Sequence, residues 1–487
     1  GVYDDPDHQI QEKATVNIGT SNTMIIGSSQ YGKTNLIEDL IRGLAENYTP
    51  KDVNLYIVDF ASMVLRNFEG LAHVGGVVCP SDDEKLKNLF KYLNDQINLR
   101  REALLAVGVS SFIAYREAGY TDFPQIILFI DNFTALKDLY LQDNDILLTL
   151  CREGVSVGIT VVIANSQTSG LGYKYMSNFA TRISLFCNEP SEYSSVFGAC
   201  HMRPDEVPGR CLVEVDKTIY ECQTFMAFEG EREIERVQKM QKFVVDTNKQ
   251  YKGMRANPIP EIPVLLGETY ISDNFIGTYD DKKQIIGISY DTVSPVFYEI
   301  QKNNLLAICG GDNSGKSNFI RYITHMMQRT YSDIEIFVMD NYKKKLESLR
   351  KNCSVYDVSG EQCKDVLINL DVYLHNKYQQ LVEGDDVNSA WKLLIINNED
   401  VFQTISGDKA ALAAFKNIIG KYKMLNVLVV LGNVPNAQVV YGAPEIYKIV
   451  KESRNILLFD NLDNCKIVDV SLTTVRRNKK KVETGDA

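Results

Sequence analysis

Glycines, a lysine and a hydroxyl residue recur twice at the spacing GxxxxGK[ST]. The first set is Gly27, Ser28, Ser29, Gln30, Tyr31, Gly32, Lys33 and Thr34; the second is Gly310, Gly311, Asp312, Asn313, Ser314, Gly315, Lys316 and Ser317. This pattern suits a nucleoside triphosphate. The glycines let successive backbone N–H groups close around phosphate oxygens, the lysine reaches the terminal phosphates, and the hydroxyl ligates Mg2+. Each loop follows a short apolar stretch, Thr23 to Ile26 or Leu305 to Cys309, and opens a helical pattern, which is the strand, loop, helix order the cradle needs. Two ATP sites are expected, with Mg2+ reached through Thr34 and Ser317.

Hydrolysis asks for a carboxylate in the Mg2+ shell and a neighbouring glutamate that polarises the attacking water. Asp131 closes the apolar run Gln125 to Asp131 and suits the metal shell, but Asn132 follows it, and an amide can orient a water without taking its proton. In the second half Asn397 and Asn398 fill these positions, with Glu399 and Asp400 arriving one and two places late; a shift in register would rescue Glu399. Gln167, at a strand tip, is a candidate sensor of the terminal phosphate or else a strand-end cap, and its counterpart Pro435 has no donor. Binding with slow or no turnover is the expectation. Arg182 suits a surface salt bridge better than an arginine finger, and Asp59 and Asp340 read as structural strand-end carboxylates.

The elements that must position these groups form a duplication. Asn54 to Phe60 matches Glu335 to Asn341, Pro124 to Asn132 matches Trp391 to Asn398, and Thr160 to Gln167 matches Val427 to Pro435. Strands this apolar, separated by helical segments such as 83–106 and 362–381, imply parallel sheets covered on both faces. The fold class is α/β: two tandem P-loop domains, each a mainly parallel central sheet flanked by helices, over residues 1–252 and 253–487. The loops and polar strand ends should meet at the carboxyl edge of each sheet, where doubly wound folds bind ligands. Between the halves, the proline-spaced stretch Asn257 to Pro263 reads as an extended connector outside the core, and 285–289 with 296–300 as a hairpin before the second loop.

At 487 residues, with 45% hydrophobic and 24% charged residues, the chain has an ordinary globular composition, and no apolar run is long enough for a membrane span. It opens at Gly1 without a signal-like stretch, as a piece of something larger and membrane-anchored would. A net charge of -11 argues against a sequence-independent grip on nucleic acid, so the basic run Arg476 to Lys481 reads as a solvated tail. Ten cysteines without a CxxC pair read as reduced thiols, and Cys200 beside His201 lacks the further ligands of a zinc site.

The run Tyr3 to Pro6, the loop at Gly27, Asp59 followed by Leu71 to Gly75, the Asp131 strand, and Gly209-Arg210-Cys211 with Glu221-Cys222-Gln223 together resemble the FtsK/SpoIIIE-type ATPases. Among these the resemblance is to the EssC-type (EccC, YukB-like) motor ATPases of type VII secretion, which carry three such domains, and Asp131-Asn132 with Ala164-Asn165-Ser166-Gln167 is similar to the second and third. The resemblance implies RecA/FtsK-like folds, a location at the cytoplasmic face of the cell membrane, assembly into a ring, and contact with other secretion subunits. It also implies that the last domain receives the C-terminal export signal of WXG100 substrates. A DNA-translocating motor of the same family is the alternative; it should bind duplex DNA tightly and lose it steeply with salt, and no nucleic acid is expected.

Overall fold

The computed structural model describes all residues except 6–7, 141–145, 216, 264–265, 268, 272–282, 291–292, 301, 385–388, 478–483 and 486–487. The basic run therefore lies outside the described residues from Asn478 onward. Two compact units divide the chain, Gly1–Ile262 and Pro263–Ala487.

The first unit is built on one sheet. Its strands are β1 (Val2–Asp5), β2 (Ile10–Lys13), β3 (Thr23–Ile26), β4 (Val53–Asp59), β5 (Val74–Val78), β6 (Gln125–Asp131), β7 (Ile159–Asn165), β8 (Thr181–Leu185), β9 (Arg210–Val215) and β10 (Thr218–Gln223), in the order β2-β1-β10-β9-β8-β3-β7-β6-β4-β5. From β8 to β5 all pairings are parallel, and β9, β10, β1 and β2 extend the sheet antiparallel. Strands β3, β4 and β7 are buried along their whole length, because helices cover both faces: Met24 and Ile26 enter one core cluster and Ile25 the other. Among the covering helices are α1 (Lys33–Asn47) and α2 (Asp83–Val107), and α3 (Phe133–Tyr140) follows β6.

The second unit repeats this plan. A hairpin of β11 (Lys283–Ile288) and β12 (Pro295–Glu299) precedes it, as its sequence implied. Then β13 (Leu305–Gly310), β14 (Ile334–Met339), β15 (Val355–Asp357), β16 (Trp391–Ile396), β17 (Val427–Val434) and β18 (Ile456–Phe459) form an all-parallel sheet in the order β15-β14-β16-β17-β13-β18. Read strand for strand, this is the order β5-β4-β6-β7-β3-β8 of the first unit, so the duplication extends to topology. Helices α4 (Lys316–Thr330), α5 (Cys363–Val382), α6 (Glu399–Gly407) and α7 (Glu445–Ser453) belong to this unit. All ten cysteines are free and eight are buried.

The proline-spaced stretch departs from expectation. It is extended, but it packs on the first unit: the Ala256 and Ile259 amides donate to the carbonyls of Ala72 (2.8 Å) and Gly75 (3.0 Å), and the Tyr56 hydroxyl donates to Asn257 O (2.7 Å). Ile259 is 4% exposed and belongs to the same apolar cluster as Tyr56 and Val78. A Cβ on Gly76 would lie 2.6 Å from Ile259 Cδ1, so the absent side chain at Gly76 makes room for it. The prolines suppress helix formation here without keeping the intervening isoleucine out of the core.

Candidate functional site

Both loops sit where a parallel strand meets a helix. Gly32 and Gly315, the residues before α1 and α4, adopt left-handed φ values of 101° and 112°, which glycine reaches without steric cost. In the first loop Lys33 Nζ donates to the carbonyls of Gly27 (2.7 Å) and Ser28 (3.0 Å). In the second, Lys316 Nζ donates to those of Gly310 (2.7 Å) and Gly311. Burial lowers the pKa of each ammonium, opposed at Lys33 by Asp131 and at Lys316 by Asp312. Each loop is also tied by a later glycine: Gly209 N donates to Tyr31 O (3.0 Å), and Gly485 N to Ser314 O (2.9 Å), the carbonyl at the same motif position. Around the first loop, Ser28 Oγ accepts from Asn188 N, and the Tyr31 ring packs on Phe186 at 4.6 Å. In the second, Asn313 takes the left-handed φ that Gln30 takes in the first, and Ser29 holds the place of Asp312.

The metal position differs between the two units. In the first, Thr34 Oγ1 donates to Asp131 Oδ2 at 2.7 Å. Burial pushes the Asp131 carboxyl up, against the Thr34 hydrogen bond and the Lys33 charge. A hydroxyl beside a carboxylate with lone pairs to spare fits Mg2+ and its water shell. In the second, Asn397 faces Asp340 across the sheet as Asp131 faces Asp59, because β14 pairs Met339 with Ile396 one residue earlier. Asn397 Nδ2 donates to Asp340 Oδ1 at 2.9 Å. The same carboxylate accepts from Asn341 N, Leu346 N and the Tyr356 hydroxyl. Four donors occupy the roughly four acceptor sites a carboxylate has, and no carboxylate stands where Asp131 does. The second site does not fit a Mg2+ ion.

The register settles Glu399. It opens helix α6, Asn398 caps that helix by accepting from Asp400 N, and Glu399 hydrogen-bonds Tyr447, whose hydroxyl is pushed up to about 12 mainly by burial. No slip in alignment brings Glu399 to the strand end. The counterpart of Gln167 also changes. A bulge in β17 sets Leu431 to Val434 against Ala307 to Cys309, adding the left-handed Asn433, so Asn436 and not Pro435 lies two residues past the matching strand position. Asn436 bonds Asn464 O and Lys466 N. Gln167 is exposed just beyond β7, beside β3 and its loop, and Ser169 Oγ donates to its Oε1 at 3.4 Å.

Asn132 was expected to be free to orient a water. Both ends of its side chain are engaged: Nδ2 donates to Phe60 O (3.2 Å), and Oδ1 accepts from Ala135 N (3.3 Å) at the start of α3. Its φ of 70° lies in the left-handed region that asparagine tolerates better than most residues. Among the described residues Arg182 makes no salt bridge; it donates to the carbonyls of Phe179 and Val196. Asp59 accepts from the Ala61 and Leu65 amides, the structural role its position suggested. The lysine triplet 343–345 beside the second loop was not singled out in the sequence, although three consecutive lysines just past an Asp-ended strand are a visible signal.

The FtsK/SpoIIIE family profile matches residues 6–205. That match spans most of the first unit, including its phosphate loop and the Asp131 strand, and less than half of the chain. It is similar to the ESX secretion system protein EccC of Geobacillus thermodenitrificans, 22% identical over all of this chain and 33% of that protein. In fold it matches EssC (ATPases 2 and 3) from the same organism, with a TM-score of 0.86 at 22% identity, covering 100% of this chain and 92% of that one. It also matches Thermomonospora curvata EccC (ATPases 2 and 3) in complex with a signal sequence peptide, with a TM-score of 0.62 at 19% identity over 94% and 85% of the two chains. The likeness to EssC-type proteins read from the sequence is borne out, and the chain spans a third or less of the length of these curated relatives. Among the described residues no helix is long and apolar enough to cross a membrane.

Proposed function

We propose that this chain is the nucleotide-holding tandem of a type VII secretion ATPase, comprising its second and third ATPase domains, and that it binds ATP with slow turnover or none. The observation that carries the reading is the state of Asn132: the position beside Asp131 holds no base, and its amide is committed to Phe60 and to the cap of α3. In the first unit Thr34 and Asp131 would hold Mg2+, which screens the phosphate charge when bound; Lys33 and the loop amides hold the phosphates, and Gln167 stands near the terminal one. With no general base a large part of the usual acceleration is absent, about 100- to 10,000-fold. Single-turnover hydrolysis tests this. The wild-type chain and Lys33→Ala should both cleave ATP at near-background rates, and rapid cleavage abolished by Lys33→Ala would sink the idea.

The resemblance to EccC, whose tandem has been captured with a signal peptide, supports a substrate-receiving role at the cytoplasmic face of the membrane, with the full-length protein self-associating into a ring and meeting other secretion subunits. We assign the export signal of WXG100-type substrates to the second unit. Signal peptides should bind the whole chain and not a fragment of residues 1–262, measured by fluorescence anisotropy; equal affinity for the fragment refutes the assignment.

A further inference from the structure

The second loop lacks the metal position of the first and has something in exchange. The segment after β14 has the length of the one after β4: Leu65 N bonds Asp59 Oδ2 in one, and Leu346 N bonds Asp340 Oδ2 in the other. Residue for residue, Ser62, Met63 and Val64 are replaced by Lys343, Lys344 and Lys345, with Met63 and Lys344 both at left-handed φ. The lysine segment is held in place: Lys343 N donates to Asn341 Oδ1, Lys344 N to Asn341 O, and Arg321 to Lys345 O. The ammonium groups reach the phosphate loop itself. Lys345 Nζ lies 3.4 Å from Asn313 Oδ1, and Lys343 Nζ 4.0 Å from Asp312. Both are close enough to depress the Lys316 ammonium, after burial as the larger cause.

Lys316, Lys343 and Lys345 border this cradle; beside the first, Lys33 is joined by Arg203, which lies over the Phe186 ring that packs on Tyr31, and in the second the carboxylate that would hold a metal is an amide. A lysine ammonium binds phosphate as a point charge, and Lys343 and Lys345 stand at the open rim of the loop, beside Asp312 and Asn313. We propose that the second loop takes its nucleoside triphosphate as the metal-free polyanion, with Lys343 and Lys345 supplying the charge that Mg2+ supplies at the first. This rests on the reading that both loops hold nucleotide.

Calorimetric titration of the full chain with ATP, in Mg2+ and in EDTA, tests it. Lys33→Ala leaves the second site and Lys316→Ala the first. Removing Mg2+ should weaken ATP binding to Lys316→Ala by about tenfold or more, and to Lys33→Ala by less than about twofold. Adding Lys343→Ala and Lys345→Ala to the Lys33→Ala chain should cost about tenfold or more in EDTA. The same pair of lysine substitutions in the Lys316→Ala chain should leave first-site binding unchanged, which controls for folding. Equal loss at both sites on chelation overturns the proposal, as does second-site affinity that ignores the lysines. No second-site binding in either buffer overturns instead the reading that this loop holds nucleotide, and the proposal with it.

Discussion

Replacing Arg100 by leucine should destabilise the first unit by about 3–5 kcal/mol, since buried carbonyls left without a donor cost about 1–3 kcal/mol each. Arg100 lies on α2 with no exposed surface, yet its partners are not carboxylates. The guanidinium donates to the carbonyls of Val157 (3.1 Å), Gly158 (3.1 Å) and Pro124 (2.7 Å), and lies over the rings of Phe112 and Phe123 at 5.6 and 5.3 Å. These carbonyls sit just ahead of β6 and β7, at the sheet edge opposite the nucleotide loop. Leucine fills part of the volume and takes a donor from three carbonyls, of which Gly158 O keeps the Ile126 amide. Arg100→Lys, with one point charge for a planar fork, should recover only part of the loss. Chemical denaturation followed on the first unit measures this, and a change under about 1 kcal/mol would mean that water replaces the guanidinium.

Glutamine at position 38 should stabilise the protein above neutral pH and change little near pH 5. Glu38, on α1 one turn past Lys33 and Thr34, is 8% exposed, and burial lifts its carboxyl from 4.5 to about 7, against Arg236 and with help from Asp131 and Asp59. The folded state then keeps a proton that the unfolded chain releases between these values. Its contribution is fully present below pH 4.5, falls as pH rises, and is gone above about 7. The whole swing is about 3 kcal/mol. The melting temperature of wild type should fall across that window relative to Glu38→Gln, and parallel pH profiles for the two proteins would refute the assignment. The same helix opens on the Lys33 cradle, so a proton retained at Glu38 also limits the negative charge gathered beside Asp131.

Legibility in the sequence tracked the distance over which each feature is determined. The phosphate loops are eight contiguous residues, and the central strands are runs such as Ile126 to Ile130, so a local reading found both. The duplication was legible too, whereas the strand order came only with the fold. What escaped depends on residues brought together from afar. Asn132 read as free because its partner Phe60 O is 72 residues away, just past the end of the neighbouring strand. Pro435 read as the match of Gln167 because a bulge at Gly432-Asn433 adds a residue without altering the apolar pattern. Lys343 and Lys345 went unremarked because only the fold sets their segment against the second loop. Ile259 went unnoticed among prolines, since its burial depends on the open face of Gly76.

The double engagement of Asn132 also bears on how such a site can change over time. A glutamate there would surrender the bond to Phe60 and the cap of α3, worth about 1 kcal/mol, and would enter a left-handed conformation costing about another 1–2 kcal/mol. Aspartate would retain an oxygen for the cap but lose the donor. Placing a glutamate beside Asp131 therefore calls for compensating changes in the backbone around Phe60 and Phe133. The amide is part of the framework that ties the end of β4 to the start of α3, so a single substitution there disturbs both.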